Sequence, residues 1–436
     1  MTYSEALDEL YNRLPMFSRI GAAAYKKDIG NTVAICEALE NPQHQFKSIH
    51  IAGTNGKGSC SHMLAAVFQQ AGYKTGLYTS PHITDFGERI RINGEKIDQN
   101  YVIQFVRNTR QLATQIKPSF FELTVGMAFA YFAEKQVDIA IIETGLGGRL
   151  DSTNIITPIL SIITNIGYDH MNLLGTTLPE IAFEKAGIIK RDIPIIIGST
   201  LPETKTIFEK KAAGCAAPIY FATEHYQSTH SVLNGTRQHI AGKDLKRSTT
   251  FSIKTDLLGN YQQENIQTVL TAIDILHESD YSLPIDAIQN GLANVRSQTG
   301  IRGRWDVLQQ APTVIADVGH NEDGIRTIIH QLTERHRAGH WHFILGFVND
   351  KEIDTILELF PKQAKYYFTQ AHIERALQAD TLREKAIEKN LYGHSFDHVN
   401  LALEQALHTA DKQDTIVICG SFFLLAELHA YQDFSK

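Results

Sequence analysis

Lys57 stands between two glycines in the run Gly53-Thr54-Asn55-Gly56-Lys57-Gly58-Ser59. The run follows a short apolar stretch at 48–52 and precedes a helical pattern from about Ser59 to 71, closed by Gly72. Glycines let the backbone bend until successive N–H groups converge on phosphate oxygens, and the start of a helix adds free donors and a favourable dipole. Lys57 would neutralise the outer phosphates of a nucleotide, with Thr54, Asn55, Gly56, Gly58 and Ser59 forming the cradle. The spacing departs from the common GxxxxGK(S/T) pattern by one glycine after the lysine. A plain glycine-rich turn with a surface lysine is the competing reading, and spacing and context together favour the phosphate loop.

Glu143 ends a second apolar run, 138–143, just before Gly145, Gly147 and Gly148. In open α/β sheets ligands bind at the carboxyl ends of strands, where a carboxylate can hold Mg²⁺, a hard cation that prefers oxygen. A structural carboxylate paired with a lysine is the alternative. His170 follows Asp169 shortly after a third run, 159–164. Taken alone, such a histidine is more often a solvated or core residue than a ligand. Ser80, in Thr79-Ser80-Pro81-His82, ends another short strand-like stretch and could supply a hydroxyl; by itself that signal is weak.

The elements that must position these residues alternate. A helical opening, 3–39, leads to strands at 48–52, 138–143, 159–164 and 194–197. A helix opens at Thr177-Leu178-Pro179, with threonine as cap and proline in its first turn. Such alternation argues for a mostly parallel sheet. Residues 219–255 turn β-like around an Asn234-Gly235 hairpin signal, and helical patterning returns at 263–277. The polar stretch 296–304 reads as a linker. Strands are then expected at 313–316, 341–345, 365–368 and 415–419. The expected fold class is therefore α/β: a phosphate-loop ATPase domain with a mostly parallel sheet and a small antiparallel subsheet over residues 1–297, then a smaller Rossmann-like domain over 298–436. Bulk properties agree with a globular chain: 436 residues, 43% hydrophobic, 20% charged. A net charge of -7 gives no footprint for nucleic acid. No apolar run is long enough to span a membrane. Glu5, Asp8 and Glu9 occupy the place of a leader's apolar core. The four cysteines form no CxxC pair, which points to a reducing cytoplasm.

An ordered set of motifs covers nearly the whole chain: GTNGKGS (53–59), TSPH (79–82), ERIRING (88–94), ETGLGGRLDSTN (143–154), DH (169–170), EKAGIIK (184–190), LLGNYQQENIQT (257–268), GRW (303–305), DVGHN (317–321), GFVNDKE (346–352) and GSFFLLAE (420–427). Together they resemble the folylpolyglutamate synthase branch of the Mur ligase superfamily. The resemblance implies an ATP-dependent ligase that adds L-glutamate to tetrahydrofolate, and to 7,8-dihydropteroate to give dihydrofolate, through an acyl phosphate. It implies that Lys57 and its loop hold ATP, with Asn265, Arg304 and Asp317 also on the nucleotide. It implies two Mg²⁺ ions, one on Ser80 and Glu143 and one on Glu143, His170 and a carbamylated Lys185. The pterin would lie near Ser119, Phe120, Phe121 and Glu122 and near Leu150, Asp151 and Ser152, with His320 and Ser421 at the incoming glutamate or the reacting centre. The implied partners are small molecules only (dihydropteroate, reduced folates, glutamate), with no nucleic acid, no membrane, and a cytoplasmic monomer. A peptidoglycan-precursor ligase of the Mur type and, from another class, a nucleotide-driven switch are the alternatives. Arg302 replaces a proline usual before the Gly303-Arg304 pair, and Gly319 replaces an alanine usual before His320-Asn321.

Lys185 would ordinarily be read as a helix-surface lysine. Were it to face the metals, an ammonium about 4 Å from a divalent ion would cost on the order of 8 kcal/mol at an effective dielectric of about 20. A carbamate, which is anionic, removes that conflict.

Overall fold

Central strands buried on both faces need near-continuous apolar sequence, and this chain supplies it twice. All five positions of Ile139–Glu143 and all five of Thr415–Cys419 are buried. The computed structural model describes residues 1–21, 28–279, 281–335, 339–349 and 351–432. Residues 22–27 of the expected helical opening, and Asp350 within GFVNDKE, lie outside them.

Among the described residues an eight-stranded sheet runs in the order Glu95–Lys96, Ile90–Ile92, Thr75–Tyr78, Ile139–Glu143, Lys47–Ala52, Leu160–Ile163, Ile195–Ile197, Ile219–Phe221. It is parallel except for the first two strands, which form an antiparallel margin. Tyr226–Asn234, Arg237–Asp244 and Thr249–Thr255 make a separate antiparallel sheet, and the Asn234-Gly235 turn joins its first two strands. A six-stranded sheet follows, in the order Asp306–Gln310, Thr313–Ala316, Thr415–Cys419, Trp341–Leu345, Lys365–Phe368, Gly393–Ser395, parallel except for its first strand.

Five apolar clusters among the described residues hold these layers. Ile49, Ile51, Leu64, Phe68 and Ile141 pack with the helix Gln262–His277 on one side of the first sheet. Trp305, Phe343, Phe360 and Tyr366 anchor the six-stranded one. The helix Lys57–Gln70 is buried all along from Gly58 to Phe68, so the phosphate loop ends in a rigid element. Thr177 and Glu180 complete a reciprocal capping box at the start of Leu178–Lys185, which fixes the helix whose last residue is Lys185.

Three expectations need correction. The helix after the phosphate loop begins at Lys57, because Gly56 takes the left-handed cap conformation. The stretch 296–304 is irregular only from Gly300: Val295–Thr299 is a helix, held by Thr299 Oγ1 against His62 Nδ1 at 2.8 Å. Asp306–Gln310 and Gly393–Ser395 are strands that periodicity did not suggest, since both lie at sheet edges and are partly exposed. Arg302, in place of the usual proline, donates to the Tyr431 carbonyl at 3.1 Å and lies over that ring.

Candidate active site

The carboxyl edges of the two large sheets face one cleft of about 960 Å³. From the first sheet come the phosphate loop, Ser80, Glu143 and the 165–170 segment; from the second come Asp317, His320, Lys351, Arg375 and Ser421. Every site residue expected from sequence lines this cleft: Thr54 to Ser59, Ser80, Ser119 to Glu122, Glu143, Leu150 to Ser152, His170, Lys185, Asn265, Arg304, Asp317, His320 and Ser421.

The phosphate loop is tied to its neighbour strand. Thr54 N donates to the Asn165 carbonyl at 3.0 Å, and Thr54 Oγ1 exchanges hydrogen bonds with Gly167. Lys57 Nζ donates to the carbonyls of Gly53 and Thr54 at 3.0 and 3.1 Å. Gly56 has φ +84, and a Cβ there would fall 2.4 Å from Asn265 Oδ1, so no other residue fits the turn. At Gly58 an added Cβ would stand 3.1 Å from the Arg304 guanidinium and 3.8 and 3.9 Å from the two Glu143 oxygens. Loop backbone, carboxylate and an arginine from beyond the first sheet thus meet at one point.

Glu143 is 4% exposed, and its Oε2 accepts the Ser80 N–H at 3.3 Å. Burial pushes its carboxyl pKa up, against the pull of Lys57 and Arg304. Lys185 is not on the surface. It is 4% exposed, and its Nζ donates to the Gly53 carbonyl at 2.9 Å. Burial, then the nearby Lys57 charge, pushes its pKa down to about 7. His170 adopts a left-handed conformation, φ 50, ψ 40, and sets its ring edge-on to Phe17 at 5.6 Å.

Contacts run across the cleft. Asn55 and Asn321 exchange amide hydrogen bonds at 3.2 and 3.1 Å. Asp169 pairs with Lys351, with His320 Nε2 at 3.3 Å and with Asn321 Nδ2 at 3.2 Å. Burial raises the Asp169 pKa, but Lys351, His170 and His320 outweigh it and hold the carboxyl well below its usual range.

Two family models match the chain: the Mur ligase middle domain over residues 51–273, and the Mur ligase glutamate ligase domain over 303–422. The dihydrofolate synthase/folylpolyglutamate synthase of Bacillus subtilis is 30% identical, covering 98% of each chain. Two solved structures superpose over almost all of both chains. One is Escherichia coli FolC in complex with DHPP and ADP (TM-score 0.85, 26% identity, 100% of this chain and 98% of that one). The other is Mycobacterium tuberculosis folylpolyglutamate synthase complexed with ADP and AMPPCP (TM-score 0.87, 27% identity, 99% and 98%). The chain belongs to the folylpolyglutamate synthase family of Mur ligases. It is an ATP-dependent ligase, and the switch and peptidoglycan alternatives find no support among these relatives.

In this folylpolyglutamate synthase family member several expected contact residues also build the wall of the cleft. Ser119 and Glu122 form a reciprocal capping box for the helix Phe120–Glu134, and Glu122 Oε2 accepts from Asn31 Nδ2 at 3.1 Å. Phe120 is buried against Tyr11 and Phe86, beneath the Arg89 guanidinium. Phe121 borders Gly145, where a Cβ would lie 2.4 Å from its ring. Asp317 accepts from Tyr261 Oη (2.7 Å), Trp305 N (2.9 Å) and Gly319 N (2.8 Å). Ser421 Oγ caps the helix Phe422–Ala426.

Sequence reasoning assigned no role to Lys351, Asn321, Tyr261, Arg89 or Phe17, all close to the site. Lys351, Asn321, Tyr261 and Arg89 sit inside the motifs given above, and Phe17 alone lies outside them; for Lys351, a lysine just beyond a strand's carboxyl end was the available signal. Among the described residues, His372, His398 and Glu427 bring possible metal-ligand atoms within 4.8 Å of one another outside the cleft. His398 Nδ1 accepts the Asn400 N–H at 3.1 Å, so its proton sits on Nε2, facing Glu427. His398 thereby caps the helix Val399–Thr409, and Glu427 is hydrogen-bonded to His372 Nδ1 at 2.9 Å. No helix among the described residues is long and apolar enough to cross a membrane.

Proposed function

We propose that the chain joins L-glutamate to a pterin-bearing carboxylate at the expense of ATP, accepting both 7,8-dihydropteroate and tetrahydrofolate. The observation that carries this reading is the meeting of phosphate loop, Glu143 and Arg304 at Gly58, with Lys185 on the same wall. A carboxylate is a poor electrophile. Transfer of the γ-phosphoryl group to it releases ADP and leaves an acyl phosphate. The glutamate amine then attacks the acyl carbon, phosphate departs and the amine loses a proton.

Two anions must approach in the first step. Lys57 and Arg304 place positive charge there, and Lys57 exchanges its carbonyl partners for phosphate oxygens as ATP enters. Ser80 and Glu143 offer hydroxyl and carboxylate oxygens, which suit magnesium, and His170 offers an imidazole nitrogen in the same cleft. We assign one ion to Ser80 and Glu143 and a second to Glu143, His170 and carbamylated Lys185. Bound there, the ions would offset the remaining repulsion between carboxylate and triphosphate. Lys185 suits the modification because burial keeps a sizeable share of its amine neutral. The nitrogen adds to carbon dioxide, a proton leaves to solvent, and an anionic oxygen ligand replaces a cation.

We assign ATP and pterin to residues 1–297, with Ser119 to Glu122 and Leu150 to Ser152 on the pterin side. Glutamate falls to residues 298–436, through His320 and Ser421. The cross-cleft contacts of Asp169 and Asn55 would hold the two parts together and keep water from the acyl phosphate. A cytoplasmic monomer is the expected form; four free thiols fit a reducing compartment. Mass analysis of products formed from isotopically labelled glutamate tests the assignment. Each pterin should gain glutamate only in the presence of ATP, and no labelled product from either would refute it.

A further inference from the structure

A buried polar chain links the phosphate-loop strand to the pterin side of the cleft, and no step above uses it. His50 lies in Lys47–Ala52, three residues before Gly53, fully buried and flanked in register by Ile142 and Ser161. Its Nε2 is 2.8 Å from Thr153 Oγ1. Thr153 Oγ1 is 2.5 Å from Asp151 Oδ1, which also accepts the Thr153 N–H at 3.0 Å, while Asp151 Oδ2 accepts the Leu146 N–H at 2.8 Å.

The direction of this chain follows from proton counting. Burial raises the Asp151 pKa, and the hydrogen bonds from Thr153 and from the Leu146 and Thr153 N–H groups act against it, favouring the carboxylate; on that carboxylate the threonine hydroxyl proton points at Asp151. The threonine oxygen must then accept, and His50 Nε2 carries the proton. His50 Nδ1 is left buried without a hydrogen-bond partner. Burial pushes the imidazole pKa down to about 3, with Lys190 adding to the effect, which agrees with a neutral ring holding one proton. The far side of the same loop rests on the Lys185 helix: Arg149 N donates to the Glu184 carbonyl at 2.8 Å, and Asn154 Nδ2 to the Gly187 carbonyl at 3.1 Å.

We propose that His50 is a positioning residue. Through Thr153 it orients Asp151, and with Asp151 the 146–153 loop, keeping the pterin side of the cleft in register with the phosphate loop that the same strand carries. This rests on the reading that Leu150, Asp151 and Ser152 face the pterin. Without the His50 donor the Thr153 hydroxyl keeps only its bond to Asp151, and the Asp151–Thr153 segment loses this side-chain tie to the strand.

Steady-state kinetics of His50→Leu, Thr153→Val, the double variant and His50→Gln test it. His50→Leu and Thr153→Val should each raise KM for dihydropteroate about tenfold, equivalent to about 1.4 kcal/mol, with KM for ATP within about twofold of wild type. The double variant should be no worse than the worse single one, since both cut one chain. Glutamine can place an amide proton where Nε2–H stood, so His50→Gln should restore most of the affinity. Equal rises in both KM values, additive losses, or a glutamine variant as weak as the leucine one would overturn the proposal. ADP titration and thermal unfolding show which variants are folded, and if His50→Leu is not, Thr153→Val carries the same test. A wild-type protein that glutamylates no pterin refutes the functional reading. A wild-type protein that does so, with variants of unchanged KM, refutes the positioning role alone.

Discussion

Lys185 Nζ and Lys57 Nζ donate to the same acceptor, the carbonyl of Gly53, at 2.9 and 3.0 Å. Two ammonium groups on one buried oxygen repel each other, and this adds to burial in lowering the Lys185 pKa. Carbamylation would turn the repulsive pair into an attractive one, so the arrangement favours the modification on electrostatic grounds alone.

Lys185→Ala is therefore expected to lose ligation by roughly a hundredfold or more, the range for removing a group that stabilises transition-state charge. Short carboxylates added at millimolar concentration should restore part of the rate by occupying the place of the carbamate. Full activity in the variant, with no response to added carboxylate, would contradict the role.

The same amine makes stability depend on pH. Its folded pKa of about 7 lies below the ordinary lysine value, so the unfolded chain binds more protons between the two. Stability then rises with pH across that window, and the cost is fully present below about pH 7. Lys185→Met should exceed the wild type in urea melts at about pH 6, without nucleotide or bicarbonate, and its advantage should shrink as pH approaches about 10. An advantage independent of pH would show that the lysine is not held as described.

Arg304 follows the 296–303 stretch, yet it approaches Gly58 of the phosphate loop. Arg304→Ala should lower kcat by roughly ten- to a hundredfold with little change in pterin KM, whereas Lys57→Ala should weaken both nucleotide binding and kcat. An Arg304→Ala protein with wild-type kcat would remove the arginine from the reaction.

Much of this was legible in the chain. The phosphate loop is contiguous, so its chemistry and spacing are visible together. Thr313–Ala316, Trp341–Leu345, Lys365–Phe368 and Thr415–Cys419 stand where apolar runs placed them, because central parallel strands leave little room for polar residues. The burial of Lys185 was legible only through the family resemblance: nothing in its helix, LPEIAFEK, marks the last residue as inward-facing. The Asn55–Asn321 and Asp169–Lys351 pairs join residues far apart in sequence, and local patterning carries no signal for such contacts.

Those pairs lead to a further expectation. Lys351→Met removes the Lys351–Asp169 contact across the cleft and should raise ATP hydrolysis relative to glutamate incorporation, because a looser closure admits water to the acyl phosphate. The measurement is the ratio of phosphate released to glutamate incorporated. A ratio equal to wild type would show that the contact plays no part in coupling.

The acyl phosphate can be tested by following oxygen. Dihydropteroate labelled with ¹⁸O in its carboxylate should pass one labelled oxygen to inorganic phosphate for each glutamate joined, since the oxygen that accepts the γ-phosphoryl group leaves with it. Unlabelled phosphate alongside normal ligation would contradict the account.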